Sequence, residues 1–245
     1  MQKNDLKNLI ERYWLAGYLT KDSSSDWQPT LLKFQNNIAS VETITGDRST
    51  LITVNQNIEF EDCEIAIGNT KQFLSILNSF GSEITLKVKP NSVSISDNDL
   101  EATIALADQS SLPEPVKLKV EPSADVVMVL NRDFIDRFNR AKKALSDSTL
   151  FAIFPDTFSN QLDFVINYHE DQNINNIKVI GAAKDVTIND EFDILYFNSN
   201  TLVSIFAEHD EYRNATLKLS KDGLMTLNFV GEDFESTYHI KALSK

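Results

Sequence analysis

The densest group of basic side chains in this sequence is Arg132, Arg137, Arg140, Lys142 and Lys143, interrupted only by Asp133 and Asp136, for a local balance of +3. On a helix turning roughly 100° per residue, Phe134, Phe138, Ala141 and Leu145 define a buried face. Arg132, Arg140 and Lys143 then point nearly opposite it, and Arg137 and Lys142 flank. A stripe of guanidinium and ammonium groups is chemistry suited to the phosphates of a polyanion. Charged helix faces are more often simply solvated, and one helix alone favours that plainer reading.

Other reactive groups are sparse. No Walker loop, Gly-x-Gly-x-x-Gly or Gly-x-Ser-x-Gly occurs, and seven glycines in all make a phosphate-cradling turn a poor expectation. His169, His209 and His239 lack metal-ligand spacing, and His209-Asp210-Glu211 reads as a solvated loop, so neither a metal nor a cofactor is expected. The carboxylate pairs Asp62 with Glu64 and Glu232 with Glu235 fit glycoside hydrolysis, but so acidic a chain singles out neither. Cys63, the sole cysteine, lies between Asp62 and Glu64, which disfavour its thiolate; a packed thiol and a reducing compartment are expected.

The whole chain runs against the local charge: 36 acids and 23 bases give −13 and a pI near 4.6, a balance that by itself argues against nucleic acid. The polarity is segregated, since Asp185 to Glu211 carries seven acids and no base. At 245 residues, 42% hydrophobic and 24% charged, the chain is an ordinary globular protein of one large or two small domains. It shows no apolar leader and no run approaching the ~18 residues of a membrane span, so cytoplasm is the expected location.

The elements that would position the basic stripe alternate between two periods. Helical spacing marks Asp5 to Leu15, a short helix after Asn69 or Thr70 that stops by Gly81, the helix Asn131 to Ser146 with Asn131 as N-cap, and Ser199 to Glu208. Strand alternation fills most of the rest, as in Leu32-Lys33-Phe34, Ile84-Thr85-Leu86-Lys87-Val88 and Val126 to Leu130. Three prolines between Pro113 and Pro122 break the pattern and read as an extended linker.

The order helix, strands, short helix, strands occurs on both sides of that linker, and residues match across it. Phe73-Leu74-Ser75-Ile76-Leu77 lies over Leu202-Val203-Ser204-Ile205-Phe206 at an offset of 129. Thr85 to Val88 lies over Thr216 to Leu219 at 131, and Asp99 to Thr103 over Asp233 to Thr237 at 134. Asp5, Leu6 and Ile10 lie over Asp133, Phe134 and Phe138 at 128. Amphipathic strands match by chance, but four collinear pairs favour a duplication. The expected fold is α+β, with similar domains at 1–108 and 126–245 joined by a connector at 109–125, each placing two helices on mostly antiparallel sheet. In the first half the bases are fewer: Lys7 flanks the first helix's apolar face, Arg12 lies on its far side, Lys3 precedes it, and Lys71 is the short helix's only base.

In this duplicated order, the Pro-rich connector, the basic helix following it, and Glu64-Ile65-Ala66-Ile67 leading into the Phe73 helix, the sequence resembles the sliding clamp family. These ring-shaped DNA polymerase processivity factors include the proliferating cell nuclear antigen, and the nearest likeness is to clamps of the T-even phages. The resemblance implies a non-enzymatic homotrimer whose six domains line a hole with helices and turn an acidic sheet surface outward. It implies as partners double-stranded DNA held without sequence preference, a DNA polymerase and a separate ATP-driven clamp loader, and, for a phage protein, the bacterial host's cytoplasm. Arg132, Arg137, Arg140, Lys142, Lys143, Lys3, Lys7, Arg12 and Lys71 would face DNA. Leu112, Val116, Leu118 and Val120 would border a groove for partner peptides, although Val116 to Val120 also alternates like an edge strand, the stronger reading from sequence alone. The helix Ser199 to Glu208 departs from the pattern in carrying no base, and Trp14 and Trp27 find no role in it. The alternatives are a duplicated β-rich carbohydrate-active or carbohydrate-binding protein and a phage structural protein.

Overall fold

A computed structural model describes residues 1–15, 29–112, 118, 123–156, 159, 161–170, 172–186 and 193–243. Its contacts divide the chain into one unit of Met1–Lys117 with Asp233–Ser236 and another of Leu118–Glu232 with Thr237–Lys245.

The first unit opens with α1 (Lys3–Trp14), whose three- and four-residue spacing buries Leu6, Leu9, Ile10 and Tyr13. No side chain caps its N-terminus, and it ends on Leu15 in the left-handed region at φ 50°. That conformation costs a leucine about 1–2 kcal/mol. Complete burial of the Leu15 side chain opposes this with about the same amount. Four antiparallel strands follow, β1 (Thr30–Gln35), β2 (Ile38–Ile44), β3 (Thr50–Asn57) and β4 (Cys63–Ile67), in the spatial order β4-β1-β2-β3. Next comes α2 (Thr70–Asn78), where the Asn69 side chain accepts from the Gln72 N–H at 2.8 Å. The strands β5 (Thr85–Lys89), β6 (Ser92–Ser96) and β7 (Glu101–Ala105) form a separate antiparallel sheet.

The second unit repeats this order with one addition, β8 (Val126–Val129), ahead of α3 (Arg132–Ala144). The strands β9 (Leu150–Asp156), β10 (Gln161–Ile166), β11 (Ile177–Val186) and β12 (Leu195–Asn198) lead to α4 (Ser199–Ala207), followed by β13 (Asn214–Ser220), β14 (Leu224–Val230) and β15 (Phe234–Lys241), whose first three residues group with the first unit. The order β12-β9-β10-β11 reproduces β4-β1-β2-β3, and β13-β14-β15 reproduces β5-β6-β7. The difference lies in β8, which pairs with β11 on one side and β13 on the other and so fuses the two halves into one sheet. Its counterpart in the first unit is a single bridge, Gln2 to Glu83, and there the two sheets stay apart.

Seven phenylalanines fill the second unit's core: Phe134, Phe138, Phe151, Phe164, Phe197, Phe206 and Phe229, none more than 2% exposed. Phe138 is their hub, edge-on to Phe151 at 5.4 Å, Phe164 at 6.3 Å and Phe206 at 5.9 Å. Helix boundaries differ slightly from expectation. α1 starts two residues before Asp5, and α3 ends at Ala144, leaving Leu145 half-buried as its C-cap and adding Ile135 to the buried face.

Candidate nucleic-acid interface

Helix α3 is fixed at its start by Asn131, whose side chain accepts from the Phe134 N–H at 2.8 Å, and along its length by Phe134, Ile135, Phe138 and Ala141 packed inward. With that face anchored, Arg132, Arg137, Arg140 and Lys143 are exposed. Arg137 pairs with Asp133 one turn earlier at 3.2 Å, an exposed pair worth a few tenths of a kcal/mol. Arg132 is steered from a distant loop: its guanidinium lies 5.2 Å from the Tyr212 ring centroid and 3.9 Å from the Asp210 carboxylate. Burial pushes the Tyr212 hydroxyl pKa up, the Arg132 charge pulls it down, and Asp136 adds to the rise. Arg140 and Lys143 enter no ion pair among the described residues.

Lys142 departs from the expected stripe. It is 8% exposed, and its Nζ donates to the Ser146 carbonyl at 2.7 Å, closing the C-terminal end of the helix. Burial lowers its pKa, opposed by the nearby Asp147 charge. A lysine at the border of the apolar face lays its methylenes along the core and turns its head to the nearest unpaired carbonyl.

Arg12 departs further. The sequence places it on the far side of α1, yet it is 5% exposed, with Nη1 donating to Gln56 Oε1 at 2.5 Å and the guanidinium 3.6 Å from the Phe234 ring centroid. Periodicity identifies the face toward one neighbour and is blind to a second element covering the other side. Replacing Arg12 by Ala therefore acts on stability: we expect a loss of about 2–3 kcal/mol, from a charged hydrogen bond and a buried Gln56 oxygen left without its donor. Thermal melting of the variant measures this, and an unchanged midpoint would contradict the buried role.

Lys7 is half-buried and lies 3.5 Å from Glu11, Lys3 donates to the Phe80 carbonyl at 2.7 Å, and Lys71 is exposed on α2. Helix α4 carries no base; its cap, Asn198, accepts from the Asn200 N–H at 2.9 Å. Asn198 stands 129 residues after Asn69, the offset already set by the two helices, so this cap was readable from the repeat. The steering of Arg132 by Tyr212 and Asp210 had no such local signal. For the connector, Leu112 is half-buried and Leu118 is 40% exposed, while Val116 and Val120 lie outside the described residues, as does Trp27.

The other reactive candidates are held in structural roles. His209 belongs to the core instead of a solvated loop: 2% exposed, it stacks 4.3 Å from Phe229, with Nδ1 2.8 Å from the Ile205 carbonyl and Nε2 3.3 Å from the Tyr238 hydroxyl. Its position one turn past Ile205 lets the ring fold back over the end of α4. Glu64 pairs with Lys33 at 3.3 Å, Asp62 accepts from the Asn36 N–H at 3.0 Å, and Glu232 is bound by Arg213. Burial raises the Cys63 thiol pKa, and Glu61, Asp62 and Glu64 raise it further. Among the described residues no cluster of three or more His, Cys, Asp or Glu could hold a metal ion, and no helix is long and apolar enough to cross a membrane.

No family model matches the sequence, and no curated protein is significantly similar to it. The three-dimensional comparison is unambiguous: the chain has the sliding-clamp fold, an α+β architecture built from a repeated pair of helices on largely antiparallel sheet. It superimposes on the PCNA of A. fulgidus, solved with the C-terminal region of FEN-1 bound, with a TM-score of 0.73 and 14% identity over 100% of this chain and 97% of that one. The Proliferating Cellular Nuclear Antigen of Entamoeba histolytica gives 0.69 and 16% over 100% and 97%. The DNA polymerase III beta subunit of Thermotoga maritima gives 0.70 and 15%, with all of this chain covering 65% of that longer one.

Proposed function

We propose that this protein is a non-enzymatic sliding clamp that encircles duplex DNA and tethers a replicative polymerase. The observation that carries the reading is charge placement on the clamp fold: a chain of net charge −13 exposes Arg132, Arg137, Arg140 and Lys143 along one anchored helix. Such contacts hold the phosphate backbone without reading bases, so they permit sliding, and an acidic remainder repels DNA from the rest of the surface.

The assembly in this reading is a homotrimer of clamp domains 1–108 and 126–245 with the connector at 109–125. Open strand edges support it. Among the described residues strand β7 is terminal in its sheet, and on β11 the stretch Ile177–Ala182 pairs with β10 alone, because β8 engages that strand only from Ala183 onward. Unpaired edges of this kind join sheets between chains. Leu112, Val116, Leu118 and Val120 are the proposed border of a partner-peptide groove, with the polymerase and a loader as its users, in a reducing cytoplasm, that of a bacterial host for a phage protein. No cofactor is invoked. The ion pairs and backbone contacts holding Asp62, Glu64 and Glu232 leave carbohydrate chemistry without a supporting observation.

The test is sedimentation across a concentration series, followed by retention on nicked circular DNA before and after linearisation. The expected result is the mass of three 27.7 kDa chains and a complex that survives on the circle and slides off the linear form. A monomer at every concentration, or equal retention on both DNAs, overturns the ring.

A further inference from the structure

The sheet faces turned away from the helices are not alike. In β1 and β4 this face carries the Lys33–Glu64 pair, with Ser40 beside Lys33 on β2, and in β14 and β15 it carries hydrogen-bonded Thr226 with His239 and Asn228 with Thr237, both at 3.0 Å. On β9 to β12 the same face is aromatic. Phe154 lies edge-on to Tyr168 at 4.8 Å, and Tyr168 stacks on Tyr196 at 6.2 Å. Strand register places Tyr196 beside Ala152 and Ala152 beside Val165, and sets Phe154 and Ile180 on either side of Asp163. Ala152 is fully buried, while Ile180 is 40% exposed and the three rings are half-exposed. The equivalent face of β1 to β4 mixes Lys33, Ser40 and Glu64 with the aliphatic Leu31, Ile38 and Ile44 and carries no ring among its described residues, so the fold itself does not require aromatic side chains here.

We propose that this aromatic face is a docking surface for a segment of a partner protein bearing a Phe or Leu anchor flanked by Lys or Arg. Large rings that bury area at little entropic cost are the residues that dominate interfaces. The flanking charge follows from the border among the described residues: Asp156 follows Phe154 by two on β9, Asp163 stands opposite Phe154, and the Glu170 charge acts on Tyr196, while the neighbouring Lys178 is bound to Asp163 at 2.8 Å. A basic segment meets that border with complementary charge and an acidic one is repelled. None of these residues belongs to the connector, and the inference does not depend on the DNA reading.

The experiment uses the full chain labelled with fluorotyrosine and two synthetic peptides of identical Phe-Phe anchor, one flanked by lysines and the other by glutamates. Fluorine NMR should show the Tyr168 and Tyr196 resonances shifting with the lysine peptide, with the glutamate peptide and the Phe154→Ser variant each binding at least about tenfold more weakly. Ser40→Asp, on the counterpart face of the first unit, should bind the lysine peptide as the parent does. Equal binding of both peptides, or shifts confined to other tyrosines, overturns the proposal. So does movement of Tyr168 and Tyr196 with chain concentration alone, which would make a second copy the occupant.

Discussion

Changing Arg132, Arg137, Arg140 and Lys143 together to Ala is expected to weaken duplex DNA binding by about a hundredfold while leaving thermal stability and assembly nearly unchanged. All four side chains are exposed, and the anchoring residues Phe134, Phe138 and Ala141 are untouched. Ala is also the best helix former, so the backbone loses nothing. Each lost phosphate contact should flatten the plot of log affinity against log salt by about 0.9, which makes the slope more diagnostic than a single affinity. The comparison is Lys3, Lys7 and Lys71 changed together. Lys3 is committed to the Phe80 carbonyl and Lys7 to Glu11, so this triple variant should change the slope less than the α3 variant does. If the α3 variant keeps the parental salt slope, α3 is not the DNA surface, whatever ring the chain forms.

Phe138→Ala should be the most damaging single substitution in the second unit, at about 3–5 kcal/mol and a fall of about 10 °C in melting temperature. Phe138 is fully buried and touches ring partners on α3, β9, β10 and α4, so its removal opens a cavity bounded by four elements that cannot all close on it. Phe138→Leu, which keeps most of the volume, should cost far less. Calorimetry of the two variants checks the pair; equal losses would show that ring geometry rather than filled volume governs the site.

How much was legible in advance depended on whether the determining contact was local. Asn131 and Asn69 were readable as caps because a cap is a three-residue device, and the α3 face was readable because Phe134, Phe138 and Ala141 share one helix. Lys142 and Arg12 were misplaced because each is covered by something periodicity does not contain: the loop carbonyl of Ser146 for one, Gln56 and Phe234 for the other. His209 was misread for the same reason, its ring lying against Phe229 and Tyr238 from strands after it in the chain.

The sequence by itself determined the repeat, the helix-and-strand order and the helix that bears the exposed bases. Those are properties of spacing, and spacing survives where identity to the solved clamps is only 14–16%. Only the tertiary structure decided which bases remain on the surface, that β8 fuses two half-sheets in the second unit while Gln2 barely bridges in the first, and that an aromatic face stands where its repeat mixes polar and aliphatic residues. Burial and strand register arise from residues far apart in the chain, so no local pattern encodes them, and a side chain's solvation is settled only when its neighbours arrive.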